Sequence, residues 1–207
     1  MGKLLWKPSE ERAKNSNMYR FMRHAGEKFG KEFTDYDALY RWSIDNLEDF
    51  WRTFWEFSEI RAEGAIEKVI DDPNKMMGVK WFTGTRLNFA ENLLRYRDDR
   101  TALIFRQEGR PSTRMTYREL YDEVARVARS LREVGVQPGD RVVGYMPNMP
   151  HTVVAMLAAT SIGATWSSCS PDFGIKGVLD RFGQIKPKVL LTQGYPEEKM
   201  RFSMLAS

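Results

Sequence analysis

Cysteine occurs once in the 207 residues, at Cys169, and histidine only twice, at His24 and His151. A single thiol excludes an intramolecular disulfide, and no Cys/His grouping has the spacing of a zinc site. The two histidines stand too far apart in the chain to suggest a metal centre. No run approaches the ~18 apolar residues that a membrane-spanning helix needs. The start, Met1-Gly2-Lys3-Leu4-Leu5-Trp6-Lys7-Pro8, holds no apolar stretch of signal-peptide length. Trp6 also stands where a myristoylation signal wants Ser or Thr. Charge of one sign is scarce as well: 32 basic against 28 acidic side chains leave a formal +4. With no dense Lys/Arg block, nothing argues for a nucleic acid or an anionic membrane as partner. These absences predict a soluble, cytosolic protein.

What is present is a globular composition, 42% hydrophobic and 29% charged, which excludes disordered, collagenous and coiled-coil classes. The length exceeds one small domain and falls short of two domains of about 150 residues. Aromatics are concentrated early: 17 of the 26 lie in the first 100 residues. There Leu47, Phe50, Trp51, Phe54 and Phe57 recur at helical spacing, with Asp45 and Glu48 placed like a capping box. Such a stripe is read as core rather than as an aromatic ligand box. Shorter helical patterns cover Met18 to Phe29 and Asp37 to Trp42, and a short helix is expected over Asn88 to Arg95. Residues 61 to 86 read looser, with Asp71-Asp72-Pro73-Asn74 as a turn.

From residue 101 the texture changes. Thr101 to Phe105 has strand character, and Thr116-Tyr117-Arg118-Glu119 is a capping box opening a helix. That helix carries Leu120, Val124, Val127, Ala128, Leu131 and Val134 inward and ends at Gly135. Pro138-Gly139-Asp140 turns into a strand over Arg141 to Met146. Asn148 and Pro150 read as cap and first-turn proline of a helix from His151 to Ile162, apolar nearly all round. Gly163 breaks it before Ala164-Thr165-Trp166-Ser167-Ser168. A further helix, Ile175 to Ile185, carries Val178, Leu179, Phe182 and Ile185 inward, and a strand follows at Lys188 to Thr192. Short apolar strands alternating with helices argue a parallel sheet covered on both faces. The fold class is therefore α/β, preceded by a helical, aromatic-rich extension.

Alternation of this kind invites a nucleotide, yet the phosphate signatures are missing. There is no G-x-G-x-x-G. Gly139 and Gly144 have P-loop spacing, but Tyr145-Met146 stands where Lys and Ser/Thr would have to reach phosphate and magnesium. No G-x-S-x-G elbow or H-E-x-x-H occurs, and neither histidine lies near Cys169. Spacing alone thus yields no catalytic residue.

The run Ser161-Ile162-Gly163-Ala164-Thr165-Trp166-Ser167-Ser168-Cys169-Ser170-Pro171-Asp172-Phe173-Gly174 resembles the adenylate-forming acyl-CoA synthetases. So do Gly177 to Lys188 and, upstream and in the same order, Leu39-Tyr40-Arg41-Trp42-Ser43, Asp49-Phe50-Trp51 and Trp81 to Arg95. Gly139-Asp140-Arg141-Val142-Val143-Gly144-Tyr145 and Pro147-Asn148 carry the generic signature of adenylate-forming enzymes. The Trp-Ser-Ser-Cys-Ser-Pro-Asp-Phe-Gly block resembles the acetoacetate branch rather than the acetate branch.

The resemblance implies an acid–thiol ligase that uses ATP, coenzyme A and Mg2+ in the full-length enzyme, with acetoacetate as small-molecule substrate. It divides the chain into a helical extension of acetyl-CoA-synthetase type (1–95), the start of an α/β AMP-binding domain (96–192) and a divergent tail (193–207). It places a coenzyme A loop at Ser167, Ser168, Cys169 and Ser170; the other reading of Ser170-Pro171-Asp172 is a cap on the next helix. The family's phosphate loop and adenylation lysine do not occur in these residues. The expectation is an amino-terminal portion, inactive alone and binding no cofactor tightly. The alternative is a non-catalytic short form that binds coenzyme A or a partner. An open sheet edge at Val189 to Leu191 would favour self-association.

Overall fold

The computed structural model describes residues 3, 5–193 and 200–204; of the tail at 193–207, residues 194–199 and 205–207 lie outside the described residues. The chain forms two compact units, 1–86 and 87–207.

In the first unit, α1 (Glu10–Lys14), α2 (Asn17–Phe29), α3 (Tyr36–Asp45) and α4 (Leu47–Phe57) precede a hairpin of β1 (Glu63–Ile70) and β2 (Trp81–Arg86). The caps explain the boundaries. Ser16 Oγ accepts from the Tyr19 amide at 3.2 Å and Asp35 Oδ1 from the Ala38 amide at 2.8 Å, so each satisfies a first-turn donor. Phe21, Met22, Ala25, Leu39 and Trp42 form the core, with Phe29, Phe33, Phe50 and Phe57 packed on it. The expected core stripe is met only in part: Phe50 and Phe57 pack half-buried on that core, Leu47 and Trp51 are half-buried, Phe54 is 41% exposed, and the buried residue of α4 is Thr53.

Two expectations need correction here. The Asp45/Glu48 capping box does not form, because α3 runs through Asp45 and Asn46 becomes the junction. The Asn46 amide side chain donates back to the Trp42 carbonyl at 3.1 Å, serving the end of α3 instead. The looser stretch at 61–86 is an antiparallel hairpin, whose register shifts between Gly64 and Lys68. The turn itself falls where expected: Asp71 Oδ1 accepts from the amides of Asp72 at 2.8 Å and Lys80 at 2.9 Å.

The second unit runs α5 (Phe89–Leu93), β3 (Thr101–Phe105), β4 (Thr113–Thr116), α6 (Tyr117–Glu133), β5 (Arg141–Tyr145), α7 (Pro150–Ser161), β6 (Thr165–Cys169), α8 (Ile175–Ile185), β7 (Val189–Gln193) and β8 (Met200–Met204). The sheet order is β6-β5-β7-β8; β6, β5 and β7 are parallel, and β8 joins antiparallel. Strand parity sorts the core into two layers. Val142, Trp166, Val189 and Leu191 pack with α6 and α7 on one face. Val143, Cys169 and Leu190 pack with Val178, Phe182 and Ile185 of α8 on the other. Buried Val154, Ala155, Leu157, Ala158 and Ala159 make α7 the covered crossover that its sequence predicts.

The Thr116/Glu119 capping box is present in both directions. Thr101–Phe105 is a strand, but it pairs antiparallel with β4 in a two-stranded sheet of its own. Met149, not Asn148, takes the N-cap position of α7, with no side-chain cap bond. Leu179 is 65% exposed and does not face inward, because Val178, Phe182 and Ile185 already fill the side of α8 that meets the sheet. The open edge expected at Val189 to Leu191 is corrected too: β5 pairs one side of β7 and β8 the other.

Candidate functional site

In open parallel sheets, ligands bind beyond the carboxyl ends of the strands, where the chain turns into helices. Here that rim comprises Tyr145 to Asn148 after β5 and Cys169 to Gly174 after β6. The Met146 amide donates to the Cys169 carbonyl at 3.2 Å, which carries the pairing of β5 and β6 one residue past the strands.

Residues 167–170 are adjacent in the chain, but their side chains do not converge. Ser167 shares the register position and face of Val143 and is half-buried. Ser168 pairs with Gly144 on the opposite face and is exposed. Cys169 is buried, 3% exposed, against Val143 and Phe182, so its thiol is turned into the core. Ser170 leaves the strand, and its hydroxyl donates to Asp172 Oδ2 at 2.9 Å. What this loop presents is therefore backbone and small hydroxyls, not a nucleophile.

The alternative reading of Ser170-Pro171-Asp172 as a helix cap is corrected. Gly174 is the N-cap of α8 and makes no side-chain cap bond. Ser170 instead closes a tight turn, accepting the Phe173 amide on its carbonyl at 3.1 Å. Sequence reasoning missed the residue that grips this turn. The Tyr145 hydroxyl donates to the Pro171 carbonyl at 2.9 Å and lies 3.2 Å from the Phe173 carbonyl. The only sequence signal was an aromatic closing the Gly139–Tyr145 signature.

Asp140 and Arg141 of that signature sit at the opposite rim and hold the frame. Arg141 donates from Nε to the Ile185 carbonyl at 2.8 Å and from Nη2 to the Lys186 carbonyl at 2.9 Å. These bonds satisfy the end of α8, where Lys186 adopts a left-handed conformation. Asp140 Oδ2 accepts from the Gln137 amide at 2.9 Å and from Lys188 Nζ at 3.0 Å. The Gln137 amide first, and the Lys188 ammonium second, hold the Asp140 carboxyl below the usual carboxylate range.

A depressed folded value means that Asp140 stabilises the fold above its unfolded pKa of about 3.9 and loses that contribution as pH falls through the folded value. Asp140→Asn is expected to be less stable than the wild type at neutral pH, with the gap closing in strong acid. Urea unfolding across that range checks it; a gap that persists in strong acid contradicts it.

Among the described residues, no group of three or more His, Cys, Asp or Glu is placed to hold a metal ion. Nor, among the described residues, is any helix long and apolar enough to cross a membrane.

Comparison with known proteins follows this architecture. Residues 89–206 match the AMP-binding enzyme family. Residues 36–93 match the acetyl-coenzyme A synthetase N-terminus. An acetoacetyl-CoA synthetase of Macaca fascicularis is 49% identical over 91% of this chain, and one of Rhizobium meliloti 48% identical over 92%. The chain spans 28% and 29% of the lengths of those relatives. The solved acetoacetyl-CoA synthetase from Streptomyces lividans superposes with a TM-score of 0.86 at 42% identity, over 92% of this chain and 30% of that one. With more than half of its residues matched by that first family, the chain belongs to the AMP-binding enzymes.

Proposed function

We propose that this chain forms the amino-terminal part of an acid–thiol ligase that joins acetoacetate to coenzyme A at the expense of ATP. The observation that carries this reading is the 49% identity to an acetoacetyl-CoA synthetase across both units. The chemistry follows from the weakness of a carboxylate as an acyl donor. A carboxylate oxygen attacks the α-phosphorus of ATP, the bond to the bridging oxygen breaks, and pyrophosphate leaves. The coenzyme A sulfur then attacks the acyl carbon of the adenylate, AMP departs, and the thiol proton passes to solvent.

In this reading residues 167–170 contact coenzyme A through main chain and the Ser168 hydroxyl. Small residues at a strand's carboxyl end let a ligand approach the main chain. Buried Cys169 supports the loop from beneath. The cytosol is the proposed location. A polypeptide confined to residues 1–207 is expected to bind neither ATP nor coenzyme A tightly and to turn nothing over, since the family's phosphate loop and adenylation lysine are not among these residues.

Acetoacetate-dependent exchange of labelled pyrophosphate into ATP, measured on the native polypeptide that carries this sequence, tests the assignment. Exchange that acetoacetate does not stimulate sinks it. Turnover by residues 1–207 alone overturns the second expectation.

A further inference from the structure

We infer that Tyr145 is a positioning residue for the thiol-accepting half of the reaction, acting as a latch on the loop 170–174. The inference rests on the ligase reading above. Tyr145 closes β5, the strand between β6 and β7, and its ring packs on the Val143, Cys169 and Phe182 cluster. From that anchored ring the hydroxyl reaches the loop's backbone, 2.9 Å from the Pro171 carbonyl and 3.2 Å from that of Phe173. One phenolic proton thus serves two carbonyls, 26 and 28 residues along the chain.

The loop needs such a grip. Pro171, Asp172, Phe173 and Gly174 are all exposed, so little apolar burial fixes them. Its internal bonds, Ser170 Oγ to Asp172 and the Phe173 amide to the Ser170 carbonyl, shape the turn without tying it to the sheet. On the far side, Arg181 lies over the Phe173 ring at 4.1 Å and donates to the Gly177 carbonyl at 3.0 Å, which tethers the loop to α8. Tyr145 provides the corresponding tie to the sheet. Without it the turn is held only through its tether to α8, and residues 170–174 gain freedom of motion. A ligand held by main chain at 167–170 feels that motion as a loss of preorganisation.

The isosteric variant Tyr145→Phe keeps the ring in its cluster and removes only the hydroxyl. Two measurements test it. Amide hydrogen exchange over 170–174 is expected to quicken by about fivefold to tenfold, the range that one net hydrogen bond supports. In the native polypeptide KM for coenzyme A is expected to rise by a similar factor, with the loss falling on KM rather than on kcat. Unchanged exchange over the loop overturns the latch. Faster exchange with an unchanged KM for coenzyme A overturns its connection to the thiol, as does a fall in kcat alone. Failure of the ligase reading shows separately, in wild-type protein that lacks acetoacetate-dependent pyrophosphate exchange; the hydrogen-exchange arm still decides the latch.

Discussion

Gly144→Val is expected to destabilise the protein by about 3 kcal/mol, near the top of what overpacking a core costs. Gly144 is buried in β5, between β6 and β7. A Cβ there would lie 2.5 Å from Cη2 and 2.7 Å from Cζ2 of Trp166. The obstacle is space and not backbone conformation, since Gly144 is absent from the left-handed positions. The indole, packed against the Val142 and Leu191 layer, must either leave that layer or force β5 away from β6. Steric origin makes the effect specific to one neighbour. Trp166→Val alone loses aromatic burial, but combined with Gly144→Val it opens the volume that the new side chain needs. Urea unfolding of the four proteins should give a favourable coupling of about 1–3 kcal/mol, the usual range for residues in contact. Simple additivity of the two losses would show that Gly144 is glycine for another reason.

That pair also shows what can be read from the chain alone. Helices announce themselves locally. The Thr116/Glu119 box opened α6 as expected, and α8 spans Ile175–Ile185, the range its apolar spacing predicted. Parallel strands β5 and β7 were legible because each is a short apolar run following such a helix. Strands β1, β2 and β4 were not: they carry little apolar periodicity, and each pairs only across a turn with its neighbour in the chain, β1 with β2 and β4 with β3. The loop after β6 was legible from its place between strand and helix and from its family resemblance. Its inner workings were not, because they depend on strand parity and on contacts between distant residues. Parity turns Cys169 into the core beside Phe182. Distance hides the reach of Tyr145 to the loop carbonyls. A residue's class can be read locally; the face it occupies requires the register.

Helix α8 offers the sharpest comparison of that kind, with an expected difference of several kcal/mol between positions three residues apart. Phe182 is 6% exposed and fills the layer beneath Val143 and Cys169. Truncating it to alanine removes most of the ring's contacts and leaves a cavity that the surrounding strands only partly close, at about 3–5 kcal/mol. Leu179, which periodicity also points inward, is 65% exposed, and Leu179→Ala should fall within about 0.5 kcal/mol of wild type. Both changes delete apolar atoms from the same helix, so helix propensity does not separate them; alanine favours the helix in each case. Burial alone does. Urea midpoints of the two variants of residues 1–207 decide the matter. A comparable loss at Leu179 would mean that α8 is rotated from the position described, and Phe182 would then no longer support the floor under Ser167 and Cys169. A large loss at Phe182 with none at Leu179 ties the stability of the second unit to the same side chains that hold the candidate coenzyme A loop in place.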